Sequence, residues 1–124
     1  MQLLDDQLIL SASDLNNFLA CPHLTTLDLA RVRGEIEAAP ERGADAELLA
    51  RKGDEFELRY LEALKAAGRD VAEISEPSDS SVEALEAIST ETEAAMRAGH
   101  EVIYQATFFR DGLRGHADFL FRVD

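Results

Sequence analysis

The chain reads as an α/β or α+β domain, with N-terminal helices followed by the start of a mixed sheet. Three observations predict it. Apolar residues recur at helical spacing through most of residues 12–98. The segment from Val102 to Val123 instead alternates like a strand pair around Asp111-Gly112, a favoured two-residue hairpin turn. Helices that precede a hairpin call for a sheet packed on helices rather than a bundle.

Taken in order, residues 1–10 form an apolar-acidic lead with an edge strand at Gln7–Leu10. Ser11 and Asp14 have capping-box spacing, with Ser13 as a competing cap, and open a short helix to about Ala20. Pro22 suits the first turn of the next helix, which stops at Gly34. Residues 35–43, with Pro40 and Gly43, read as a loop. A long helix follows from Asp45 to Ala67, with Leu49, Gly53, Phe56, Tyr60 and Leu64 as its apolar stripe. Gly68 stops it. Val71–Ile74 is a short strand and the Ser/Glu/Pro-rich stretch after it a loop. A helix from Ser81 to Ala98 turns Val82, Leu85, Ile88 and either Ala95 or Met96 inward and ends at Gly99. The strands Val102–Phe109 and Leu113–Val123 complete the chain.

Composition narrows the function. The 124 residues fit one domain, and a 46% hydrophobic content supports a core. Residues 1–100 form its mainly helical part and 101–124 its hairpin. The net charge is −13, and all of it lies in residues 1–96, which hold 8 Lys/Arg against 21 Asp/Glu. So acidic a surface repels nucleic acid, which counts against DNA binding by this segment alone unless a basic remainder supplies the missing charge. One cysteine, Cys21, excludes an internal disulfide. No run of about 18 apolar residues and no signal peptide opens the chain, so a soluble cytoplasmic protein is expected, with no membrane partner.

The hairpin carries the candidate site. With a two-residue turn, Gln105 falls opposite Asp118 and Thr107 opposite His116, all on one face. Tyr104, Ala106, Phe108, Ala117, Phe119 and Phe121 then form the core face. An aspartate inside a strand pairs, binds a metal ion such as Mg²⁺, or faces water. The metal reading and the solvated reading both stand at this point. Arg114 and Arg122 share the parity of Asp118. They either contact phosphates or keep an exposed face soluble. Arg51, Lys52 and Arg59 are interleaved with acids and read as ion-paired on a solvated helix. His23 reads as a surface residue at a helix start, and Cys21 as a small buried thiol.

Ser11-Ala12-Ser13-Asp14-Leu15, Phe18-Leu19-Ala20-Cys21-Pro22, Lys52-Gly53-Asp54-Glu55-Phe56-Glu57 and Gly115-His116-Ala117-Asp118-Phe119 stand in a characteristic order. In that order the chain resembles the N-terminal portion of RecB-like putative nucleases of the PD-(D/E)XK superfamily. The resemblance implies a restriction-endonuclease-like core that hydrolyses DNA phosphodiesters with Mg²⁺ or Mn²⁺. It makes Asp118 the first catalytic metal ligand and DNA the partner; Gln105 and His116, which the hairpin sets on the same face, would support it. It also implies a following strand bearing E-x-K, which this sequence does not reach. The fragment is therefore expected to be inactive alone, and the open edge of its last strand to favour self-association. Some relatives bind an iron–sulfur cluster through a cysteine near the position of Cys21. The further cysteines that this needs are absent, so a cluster is not expected. Relatives often place a metal-binding histidine where this chain has Phe56. That departure motivates the alternative of a non-catalytic interaction module derived from the same fold.

Overall fold

The computed structural model describes residues 1–37 and 44–123. Its element order is β1 (Gln2–Leu4), β2 (Gln7–Ser11), α1 (Ala12–Ala20), α2 (Pro22–Val32), α3 (Ala44–Ala66), β3 (Val71–Glu73), α4 (Val82–Ala98), β4 (Val102–Arg110) and β5 (Leu113–Phe121). The fold is α+β. Its five strands form a mixed sheet in the order β1-β2-β5-β4-β3. The β1/β2 and β4/β5 pairs are antiparallel, whereas β2/β5 and β3/β4 are parallel. Three strands from the mainly helical part thus join the hairpin in one sheet. The expected turn at Pro40 and Gly43 lies outside the described residues.

Asp111 and Gly112 both take positive φ, 51° and 76°, as a tight hairpin turn demands. Gly112 of the turn is buried, while Asp111 stays exposed. Leu10 donates its N–H to the Gly112 carbonyl at 2.8 Å, which starts the parallel β2/β5 pairing. A Cβ at residue 112 would stand 3.0 Å from the Leu8 carbonyl oxygen, so glycine is needed for space as well as for φ. β1 is not anticipated by the sequence. It is formed by a second tight turn, Asp5-Asp6, with φ of 49° and 61°. The Asp5 carboxylate accepts the Val82 N–H at 2.9 Å, at the start of α4. There it joins Ser81, whose hydroxyl caps the Ala84 N–H.

The capping box expected at Ser11 and Asp14 forms. Asp14 is nearly buried. Its carboxylate accepts the Ser11 N–H at 2.7 Å and hydroxyl at 2.8 Å, and the Met1 ammonium at 2.6 Å. α4 covers one face of the sheet. Ile74, Ile88, Ile103 and Ala106 form the core there, with Ala95, Phe108, Ala117 and Leu120 packed on it. Ala95 therefore faces inward, and Met96 does not. β3 is short, so beyond Tyr104 the outer edge of β4 has no strand beside it among the described residues. α4 satisfies that edge with side chains. Thr92 Oγ1 accepts the Thr107 N–H at 3.1 Å and Ser89 Oγ accepts the Phe109 N–H at 3.0 Å. A helix that lends hydroxyls to an open edge removes a template for stray strand pairing.

Two expected alignments are corrected. The core face does not alternate cleanly along the hairpin. Gln105 has φ of 59°, and the register passes from Tyr104↔Phe119 to Ala106↔Ala117 around it. This break turns Ile103 and Leu120 to the α4 side, together with Ala106, Phe108 and Ala117. Tyr104, Phe119 and Phe121 instead form an aromatic row, with Tyr60 of α3 edge-on to Phe119 at 4.9 Å. The apolar stripe of α3 is also partly rotated. Leu49 and Phe56 are 75% and 66% exposed, while Leu61 is 3% exposed and Glu57 and Leu64 are half-buried. The sheet-facing line is therefore Glu57, Tyr60, Leu61 and Leu64: Tyr60 and Leu64 keep their expected place, whereas Glu57, about 100° round the helix, takes the place expected of Phe56.

Burial pushes the Asp14 carboxyl up, but hydrogen bonds from the Met1 ammonium and Ser11 outweigh it and hold the group below its usual value. Its contribution to stability is present above the unfolded value of about 3.9 and lost as pH falls through the lower folded value. Asp14→Ala should cost about 1–3 kcal/mol at pH 7 and less near pH 3, measured by urea unfolding. Thr92 is fully buried, and Thr92→Val keeps its shape while orphaning the Thr107 N–H. The expected cost is about 1–3 kcal/mol, with protection of the Thr107 amide from hydrogen exchange reduced.

Candidate functional site

On the α3 side of the sheet the hairpin presents Gln105, Thr107, His116 and Asp118, the four polar residues that the sequence brings together. Thr107 and His116 are direct cross-strand partners, with Thr107 Oγ1 3.2 Å from His116 Nδ1. The other ring nitrogen, Nε2, lies 3.6 Å from Asp118 Oδ1. A proton on Nε2 leaves Nδ1 free to accept from the Thr107 hydroxyl, so one tautomer serves both neighbours. Gln105 and Asp118 occupy facing positions at the break and have no regular ladder pairing. The Asp118 side chain is 64% exposed. Its carboxylate thus opens to water at one end of a histidine–threonine relay.

Sequence reasoning missed two members of this cluster. The Gln105 side-chain amide donates to Glu57 Oε1, across from β4 to α3. The Tyr104 phenol lines the same cleft as Glu57, where burial and the nearness of that carboxylate raise its pKa. The rotation of α3 is what aims Glu57 here, while Phe56 points to solvent. A signal existed in the spacing Glu57, Leu61, Leu64, which is as helical as the stripe that includes Phe56. The aromatic positions outweighed it, although they are largely unburied.

Between α3, β3 and the hairpin lies a cleft of about 590 Å³. Asp54, Glu57, Glu73 and Glu76 make much of its wall acidic, and Tyr104, Gln105, Thr107, His116 and Arg114 form its sheet side. Lys65 spans to Glu73 at 2.8 Å and ties α3 to β3 at the edge of this space. The oxygen donors have the chemistry that Mg²⁺ accepts, since that ion is held by one or two carboxylates and keeps several waters. No three His, Cys, Asp or Glu side chains among the described residues are gathered closely enough to hold a metal ion.

The remaining candidates fall outside the cluster. Arg122 does not share the face of Asp118 as its parity suggested. It lies beyond the end of β5, where its guanidinium donates to the Gly99 carbonyl at the C-terminus of α4. The partial negative charge of a helix end attracts a cation there. Arg114 stays on the site face, half-buried. Cys21 is exposed rather than buried, because it serves as the single-residue joint between α1 and α2 with extended backbone. His23 is exposed, as expected at a helix start. Arg51, Lys52 and Arg59 are exposed but make no ion pair among the described residues; Arg59 donates to the Glu55 carbonyl instead.

Burial pushes the Tyr104 phenol above its ordinary value near 10, and the nearby Glu57 carboxylate pushes it the same way. In a Tyr60→Phe background, absorbance titration should show Tyr104 ionising above pH 10. Glu57→Gln should bring the midpoint back toward 10. A midpoint insensitive to Glu57→Gln would exclude the contact. The chain matches no family model, no curated protein and no solved structure.

Proposed function

We propose that the chain is the N-terminal part of a RecB-like nuclease of the PD-(D/E)XK superfamily, which hydrolyses DNA phosphodiesters with Mg²⁺ or Mn²⁺. The observation that carries the reading is the position of Asp118. It is an exposed carboxylate on a central strand of a mixed sheet, on the face where α3 supplies Glu57. Helices flank that sheet, as a restriction-endonuclease-like core requires. A second observation supports it. β2 pairs with β5 only at Leu113 and Arg114, so from Gly115 to Phe121 one edge of β5 has no strand beside it among the described residues. A strand bearing E-x-K pairs there in this reading and brings a glutamate and a lysine beside Asp118. The same open edge is where two copies would associate in its absence.

In this reading Asp118 would be the first ligand of a Mg²⁺ or Mn²⁺ ion, whose chemistry there would be to polarise the phosphate and make a water molecule more acidic. His116 holds the Asp118 carboxylate in one orientation, itself fixed by Thr107. Gln105 fixes the Glu57 carboxylate toward the cleft and so occupies the side of the site that Phe56 leaves empty. With only two such carboxylates, these residues do not close a metal site by themselves, and the isolated segment is inactive.

The alternative is a non-catalytic interaction module of the same fold. The large apolar side chains left exposed on α1 and α2, such as Leu15, Phe18 and Leu19, favour it, as does the net charge of −13. Cleavage of end-labelled linear DNA by the protein expressed from its whole reading frame separates the two. Mg²⁺-dependent cleavage that Asp118→Ala reduces by at least about a hundred-fold, with the fold intact by circular dichroism, is the expected outcome. Equal cleavage by the folded Asp118→Ala protein sinks the role of Asp118. No cleavage with either ion by the parent favours the interaction module.

A further inference from the structure

Acidic residues outnumber basic ones 25 to 12, and most described arginines sit against an oxygen. Arg31, Arg69, Arg97 and Arg110 pair with Asp28, Glu101, Glu93 and Asp111. Arg59 and Arg122 donate to backbone carbonyls. Arg114 is different. It is half-buried within the sheet, and no carboxylate lies within 4.0 Å of it among the described residues. An arginine whose stem is partly buried and whose guanidinium has no carboxylate partner is free to take an anion from elsewhere.

The surroundings of Arg114 say where that anion lies. Arg114 and His116 form the ridge between two clefts and are the only residues that line both. The first is the acidic cleft described above, which repels phosphate wherever no cation intervenes. The second, of about 440 Å³, has no acidic residue in its lining among the described residues. Its far wall is Ser11, Ala12 and Ser13, where α1 begins and where the Asp14 carboxylate, outside the lining, already accepts the Ser11 N–H and hydroxyl. Arg114, His116 and Asp118 alternate on one face of β5, which sets Arg114 about 13 Å from Asp118.

We propose that Arg114 binds a backbone phosphate of a nucleic-acid strand lying in the acid-free cleft, away from the bond that Asp118 serves. The assignment rests on the nuclease reading and adds to it the path of the strand. The planar fork of arginine meets two phosphate oxygens at once, whereas His116 beside it is already engaged by Thr107 and Asp118. Charge fixes the direction: the strand enters over Arg114 and meets the acidic cleft only where a divalent cation offsets its carboxylates.

The test is fluorescence anisotropy of a fluorescein-labelled DNA oligonucleotide with the whole-frame protein carrying Asp118→Ala, in EDTA, over a range of salt. Adding Arg114→Ala should weaken binding about ten-fold and lower the slope of log affinity against log salt by about 1. Arg114→Lys should restore the slope but not the full affinity. Arg97→Ala, which removes a charge from the opposite side of the sheet, should change neither. Thermal unfolding of each variant confirms that it is folded. Parental affinity and slope in folded Arg114→Ala would overturn the assignment, and Mg²⁺-dependent cleavage by the Asp118 protein would then leave the nuclease reading standing. A parent that neither binds nor cleaves DNA removes both.

Discussion

The Asp111-Gly112 turn holds two consecutive residues at positive φ, and that geometry admits one register for β4 and β5. From this follow the pairing of Thr107 with His116 and the placement of Ala106 and Ala117 under α4. The same turn also receives β2, through the hydrogen bond from Leu10 to the Gly112 carbonyl. A loop that normally faces solvent here joins the N-terminal strands to the hairpin. A slip of one residue at this point exchanges the faces of every side chain in the pair, the site included.

The break at Gln105 is the second constraint. A non-glycine residue at φ of 59° costs about 1–2 kcal/mol relative to extended backbone. Its consequences are local and specific. Gln105 reaches Glu57 and Tyr104 lines the same cleft, and Asp118 is left at a position with no regular ladder partner, open to water. Without the break, Tyr104 and Ala106 share a face, and the phenol lies in the core with α4. The distortion therefore separates an apolar layer from a polar one more sharply than plain alternation does.

Charge divides the site face in two. Carboxylates from α3, β3 and the loop after it line the cleft beside His116, whereas the cleft on the other side of Arg114 has none in its lining among the described residues. Nothing in the order of residues along α3 or the β3 loop makes this division visible, because the acids come from separate elements. The edge of β5 from Gly115 onward, which has no strand beside it among the described residues, lies on the same side of that strand as β2.

Much of the fold was legible because it rests on local signals. The capping box at Ser11 and Asp14, Pro22 at the second helix start, the glycines after α2, α3 and α4, and the Asp111-Gly112 turn each act within a few residues of chain. The pairing of Thr107 with His116 followed from period two and that turn, whereas the Gln105–Asp118 pairing expected from the same period is missing from the ladder because the break falls there. What the sequence could not determine depends on contacts between distant segments. The rotation of α3 that exposes Phe56 and aims Glu57 is decided by packing on the hairpin, since both faces of that helix have helical spacing. The inversion at Gln105 depends on a backbone torsion that no side chain there announces. Arg114 and Arg122 have the same parity in the sequence. Only the fold separates them, because the break falls between their positions and a helix end captures Arg122.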